Sequence, residues 1–164
     1  MAGPPVNPNG VGAPGAVCGA SAEAVVEGDA TIAMLDFTAS AMGRRAWELP
    51  RLADMIQEQQ LAGPDQQRLL AAPRAMRDAL LFPYLSGLAF CARRIAGPGR
   101  MAEIDPFLDH PPASTEQVLH PDKLDAREAP VAVPATVPAA LASEFTVAYH
   151  DTMGEFGARE FFLT

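Results

Sequence analysis

The sequence predicts a mainly α fold, an irregular helical domain. Two observations carry this. Apolar residues recur at helical spacing in three long stretches, near 21–46, 74–96 and 141–163. Between them stand Gly-Pro and Pro-Pro breakers that stop helices rather than shape hairpins. The 16 prolines in 164 residues are too many for long uninterrupted helices everywhere, hence the irregularity.

Taken in order, Met1–Gly19 is Gly, Pro, Ala and Asn with almost no charge. Such a composition buries too little apolar surface to order itself, so 1–19 reads as disordered or as a translation-start artefact, and 20–164 as one helical domain. Ser21 is a candidate N-cap, and Glu23 favours the first turn through the helix dipole. The first helix then runs to about Ala46. At ~100° per residue its broad apolar sector runs from Phe37 and Ala30 through Met34 and Thr31 to Leu35, Gly28 and Ile32. Asp29, Asp36 and Ser40 fall on the opposite, solvated side. Glu27 projects into the apolar sector between Thr31 and Met34, where a carboxylate must be protonated, paired, metal-bound or reached by water.

Glu48–Leu61 reads as a second helix, with Leu52, Met55 and Ile56 at helical spacing and Gly63-Pro64 as the stop. Trp47 sits at the joint as a packing anchor. Asp65 offers a cap for a short helix to Ala72, and Pro73 opens the third long helix, Arg74–Ala96. That helix is expected to be the most buried, with Arg77, Leu80, Leu81, Tyr84, Leu88, Cys91 and Ile95 on one side. Pro83 interrupts its hydrogen bonding, Gly87 allows another helix close, and Arg93 and Arg94 suit its C-terminal dipole.

Met101–Leu108 is a short helix leading into PPASTEQVLHPDKL, Pro111–Leu124. Here Ser114 or Thr115 caps a turn, and Glu116 or Gln117 completes a capping box. Pro121 ends the turn at His120, so Glu116, Gln117 and His120 are presented at fixed angles. Ala126–Pro138 is extended at best. The last helical region, Leu141–Leu163, carries a stripe of Phe145, Tyr149, Phe156 and Leu163 that reads as core.

Pro111–Leu124 resembles the "PP-x-STEQ-x-LHP-x-K" signature of a bacterial family of zincin-like metallopeptidases. AVVEGDATIAMLDF (Ala24–Phe37), LLFPYLSGLAF (Leu80–Phe90) and DTMGEFGAREFFL (Asp151–Leu163) are similar to its other motifs, in the same order. The resemblance implies that 20–164 is the C-terminal part of such a domain. It implies zinc in the complete family domain, with Glu27 as third ligand beside an HExxH helix. It makes Tyr84 or His120 donors to the oxyanion of a peptide-hydrolysis intermediate, and puts Glu116 in the same cleft. The chain has no HExxH; its histidines are His110, His120 and His150. The expectation is therefore a truncated or degenerate relative, without a cofactor or self-contained peptidase activity of its own.

The alternative is a helical interaction module that binds a protein or peptide partner through an apolar face left uncovered. The net charge of −8 argues against nucleic acid and anionic membrane surfaces. No run of about 18 apolar residues and no signal-peptide pattern is visible. Two cysteines are too few for a disulfide framework, and Cys91 reads as a small core residue.

Overall fold

Two long helices meet backbone to backbone at the centre of the molecule. The computed structural model describes residues 14–49, 66–97, 99–133, 136–147 and 153–163. Among these the structure is mainly helical and holds no strand. The helices are α1 (Pro14–Ser40), α2 (Gln66–Ala71), α3 (Arg74–Ile95), α4 (Asp105–Asp109), α5 (Thr115–Leu119), α6 (Pro121–Asp125) and α7 (Gly154–Phe162), with 3₁₀ turns at Ala46–Glu48 and Arg100–Glu103. The stretch 1–13, most of the predicted second helix and its stop, Asp65, and Tyr149 to Thr152 lie outside the described residues.

α1 starts earlier than its predicted cap. Pro14 opens it, as proline's fixed φ and missing N–H permit. Ser21 is instead fully buried inside the helix, its hydroxyl donating to the Pro112 carbonyl at 2.7 Å. The helix ends at Ser40, and Gly43, with φ +69°, turns the chain back. Asp36 pins the return: it accepts from Arg45 Nε and from the Ala46 amide, both at 2.9 Å. Those bonds, the Arg45 guanidinium first, hold the Asp36 carboxyl below the usual range.

The buried face of α1 overlaps only one edge of the predicted sector: its Gly28, Thr31, Ile32 and Ala39 are buried, its bulkier residues are not. Ala24, Val25, Gly28, Thr31, Ile32 and Ala39 are buried, so the face is centred on Gly28. Phe37, Ala30 and Met34, assigned to the inner sector from the sequence, are exposed. Asp29 and Asp36, assigned to solvent, are half-buried on one shoulder. The reason is the partner. A Cβ on Gly28 would strike the Gly87 carbonyl, and one on Gly87 would strike the Ala24 carbonyl. Small residues let α1 and α3 approach closely, so the crossing selects the small side of α1 rather than the bulky side. Ala24 meets Gly87 while Gly28 meets Cys91.

α3 spans Arg74–Ile95 without a break despite Pro83, and Pro73 is its N-cap rather than its first residue. It buries Phe82, Gly87, Leu88, Phe90, Cys91 and Ile95. Leu80 and Tyr84, predicted on its core side, are exposed. The Cys91 thiol donates to the Val25 carbonyl at 3.7 Å, and burial, followed by the charge of Asp29, pushes its pKa up to about 12. At the C-terminus the capping cation is Arg100, whose Nη1 donates to the Ile95 carbonyl at 3.3 Å. Arg94 reaches away to Asp125 at 2.6 Å and stacks over Phe107. Arg100 adopts φ +57°, and its guanidinium faces the Trp47 ring together with Arg45's. Trp47 is half-buried against the core, the anchor its position suggested.

The predicted short helix 101–108 is a 3₁₀ turn followed by α4, with Ile104 fully buried between them. Val131 and Val133 lie in exposed, extended chain. Of the predicted final helix, Leu141–Leu163, only α7 is helical among the described residues; 141–147 form turns and irregular chain. Phe145 and Leu163 of its stripe are exposed, while Phe156 packs on Phe82 with ring centroids 4.4 Å apart. No single described helix is long and apolar enough to cross a membrane.

Candidate functional site

The corner at 111–124 is built from caps. Ser114, in extended conformation, is the N-cap of α5 and accepts from the Gln117 amide at 3.4 Å. Gln117 closes a shifted capping box: its Oε1 accepts from the Ala113 amide at 2.8 Å, one residue ahead of the cap. Its Nε2 donates to the Glu128 carbonyl at 2.7 Å, so the buried amide is satisfied at both ends. Thr115 serves a different helix. Its Oγ1 accepts from the Phe156 amide at 3.2 Å, taking the place of an N-cap on α7 that Met153 does not supply. Gly154, at φ +64°, is needed there, because a Cβ would press on Thr115 Oγ1.

The four residues singled out from the sequence take separate roles. Glu116 is bridged to Lys123 at 2.5 Å, and Lys123 also reaches Glu128 at 3.0 Å. These two bonds, Glu116's first, raise the Lys123 pKa. His120 separates α5 from α6, and its Nε2 lies 3.0 Å from Glu155 Oε1, which is itself 3.6 Å from Arg159. Glu27 is half-buried on the shoulder of α1, ~100° around the helix from Gly28. Tyr84 is 38% exposed on α3. Among the described residues no hydrogen bond or ion pair joins Glu27 or Tyr84 to Glu116 or His120. Glu116 in α5 and His120 at its C-cap are the only two of the four that are near in the chain, and they face different partners.

The resemblance implies zinc for the complete family domain. Among the described residues no three His, Cys, Asp or Glu side chains come together as a metal site requires. His150 lies outside them.

Beside the corner, a cleft of about 410 Å³ opens between the first half of α3 and α7. Leu81, Phe82, Leu85 and Phe156 form its floor, and Arg74, Arg77, Asp78, Arg159 and Glu160 its rim. The rim charges are largely matched. Arg74 holds Asp78 at 3.2 Å, approaches Glu160 at 3.6 Å and donates to the Leu163 carbonyl at 3.0 Å, while Arg77 holds Asp78 at 3.0 Å. Arg159 and Glu160 were not singled out from the sequence, although Phe156, Glu160 and Leu163 repeat at helical spacing. The cleft is thus an apolar slot whose rim sets three arginines against two carboxylates. Neither Tyr84 nor Glu27 lines it.

The second surface feature is the outer side of α1. Val26, Met34 and Phe37 are 54%, 58% and 81% exposed, with Ala30, Ala33 and Ala41 exposed beside them. No protein-family profile, curated protein or solved structure matches the chain.

Proposed function

We propose that this chain is a helical interaction module that engages a protein partner through the outer side of α1, and that it has no self-contained peptidase activity. One observation carries the reading. α1 is apolar on both sides, one side against α3 and the other open to solvent. Contiguous exposed apolar surface marks interaction sites. Replacing Phe37 with Ser tests this. A docking residue contributes nothing to the isolated fold, so the thermal midpoint should stay unchanged or rise, and binding of a hydrophobic dye should fall. A drop of several degrees would mean that the chain itself covers Phe37, and would sink the reading.

A second reading, a partial zincin-like domain, is favoured by how the family-like motifs meet. Gly28 of EGDA packs on Gly87 of the FPY segment, while Thr115 and His120 of the STEQ-VLHP segment engage Phe156 and Glu155 of the GEFG segment. These are mutual packing and capping contacts, which supports their belonging to one folded unit. On this reading too, no three donors among the described residues come together to hold a catalytic zinc. The purified chain should retain no stoichiometric zinc after dialysis against a mild chelator and should not hydrolyse peptides. Zinc retained by the wild type and lost in Glu27→Ala would reveal a site around Glu27 and overturn this.

A further inference from the structure

The cleft between α3 and α7 is an unfilled concavity with donors to spare at its rim. Its volume, about 410 Å³, lies in the range of small-ligand sites. Four elements meet around it: Leu70 comes from α2, Leu81 and Leu85 from α3, Leu119 from α5 and Phe156 from α7. Leu81, Leu85, Leu119 and Phe156 are only half-buried, so apolar surface is left facing the slot. Two contacts hold the walls together. Phe82 and Phe156 close the floor with ring centroids 4.4 Å apart, and Arg74 Nη1 ties α3 to the Leu163 carbonyl at 3.0 Å.

The two rim carboxylates are already engaged. Asp78 is divided between Arg74 and Arg77, at 3.2 and 3.0 Å, and Glu160 is turned toward Arg74 at 3.6 Å. Arg77 spends only its Nε on Asp78, and its two terminal nitrogens make no hydrogen bond among the described residues. Arg159 makes none either. Its ion-pair partner, Glu155, stands 3.6 Å away, does not line the cleft and is bonded to His120. A guanidinium presents five N–H donors in a planar fork that matches a carboxylate.

We infer that this cleft binds a small apolar monocarboxylate. Its hydrocarbon body lies on Leu81, Leu85 and Phe156, and its carboxylate accepts from the unused N–H groups of Arg159 and Arg77. The body removes the floor from water, and the head supplies the acceptor that the rim lacks. Three arginines oppose a cationic ligand, and a neutral one leaves their donors without a charged acceptor. No α1 residue lines the cleft, so the inference stands or falls separately from the docking reading above.

Isothermal titration of the full chain with decanoate tests this, with decanol and acetate as controls. Decanoate should bind stoichiometrically and acetate not at all. Decanol should bind at least about tenfold more weakly, the factor expected when a hydrogen bond to a charged group is lost. Arg159→Glu should weaken decanoate by about the same factor and leave decanol unchanged. Leu85→Trp, which fills the floor, should weaken both, and Phe37→Ser on the outer side of α1 should change neither. Absence of saturable decanoate binding would overturn the inference. So would equal losses of decanoate and decanol in Arg159→Glu, since the head would then not sit on the rim. Binding that survives Leu85→Trp in a chain of unchanged circular dichroism, or that vanishes in Phe37→Ser, would place the ligand elsewhere and overturn it too. Should Leu85→Trp fail to fold, the comparison in Arg159→Glu decides alone, because that side chain is 55% exposed.

Discussion

Asp29 is a carboxylate that the fold holds in an unfavourable setting. It sits half-buried on the shoulder of α1, near Cys91 and Asp105. Burial first, and the charge of Asp105 second, raise its pKa above the ordinary carboxylate value. A raised folded-state pKa means that the folded chain holds the proton more tightly than the unfolded chain. Its favourable contribution is therefore complete below the unfolded pKa, near 3.8, and is lost as pH rises through the folded value. Asp29→Asn should stabilise the protein at neutral pH, by less than about 1 kcal/mol after allowance for solvent screening. The advantage should shrink as pH falls toward 4. Equilibrium urea unfolding of both proteins at several pH values measures it; an advantage that grew with acidity would contradict the assignment. The sequence reading set Asp29 in solvent because the outer residues of α1 are the bulky ones, and weighing apolar size pointed the helix the wrong way. The small residues Ser21, Ala24, Gly28 and Ala39, with Val25 and Ile32 beside them, marked the inner side.

Among the elements, the α1–α3 crossing and the α5–α7 corner decide the architecture. Gly87 touches the Ala24 carbonyl with no room for a side chain, and both neighbours are backbone, which cannot swing aside. Gly87→Ala should therefore cost more than the ~1–3 kcal/mol typical of overpacking, despite alanine's better helix propensity. Chemical denaturation measures this; a neutral or stabilising effect would show that the helices can slide apart. The corner was the more legible of the two. Ser114 as cap and Gln117 as its reciprocal partner follow from side-chain chemistry within a few residues. Thr115 capping α7 was not legible, because the bond joins residues 115 and 156 and nothing local announces it. The same limit applies to His120, whose partner Glu155 lies 35 residues away. The site residues were thus found as a list, and their partners came only from tertiary structure.

Over the whole molecule, burial is uneven. The fully buried side chains gather where α1, the second half of α3 and Ile104 meet, whereas α7 buries none of its residues fully. Opening free energies follow local burial, so amide exchange should be slowest at Leu88–Ile95 and at Ala24–Ile32. It should be markedly faster in α7, where Thr115 and Phe82 are the main attachments. Exchange followed residue by residue checks this, and uniform protection across all helices would count against it. The mainly helical class was legible because repeated apolar spacing and Gly-Pro stops are local signals. The burial gradient was not, because it depends on which helices meet.

The meeting of Ala24 with Gly87 also bears on how the chain is born. The two residues lie 87 − 24 = 63 positions apart. During synthesis at about 5–20 residues per second, Gly87 follows Ala24 by roughly 3–13 s. Through that interval α1 has neither its inner neighbour nor an outer one. A helix apolar on both sides is then a binding target for ribosome-associated chaperones, and the nascent chain passes its most aggregation-prone moment before α3 exists.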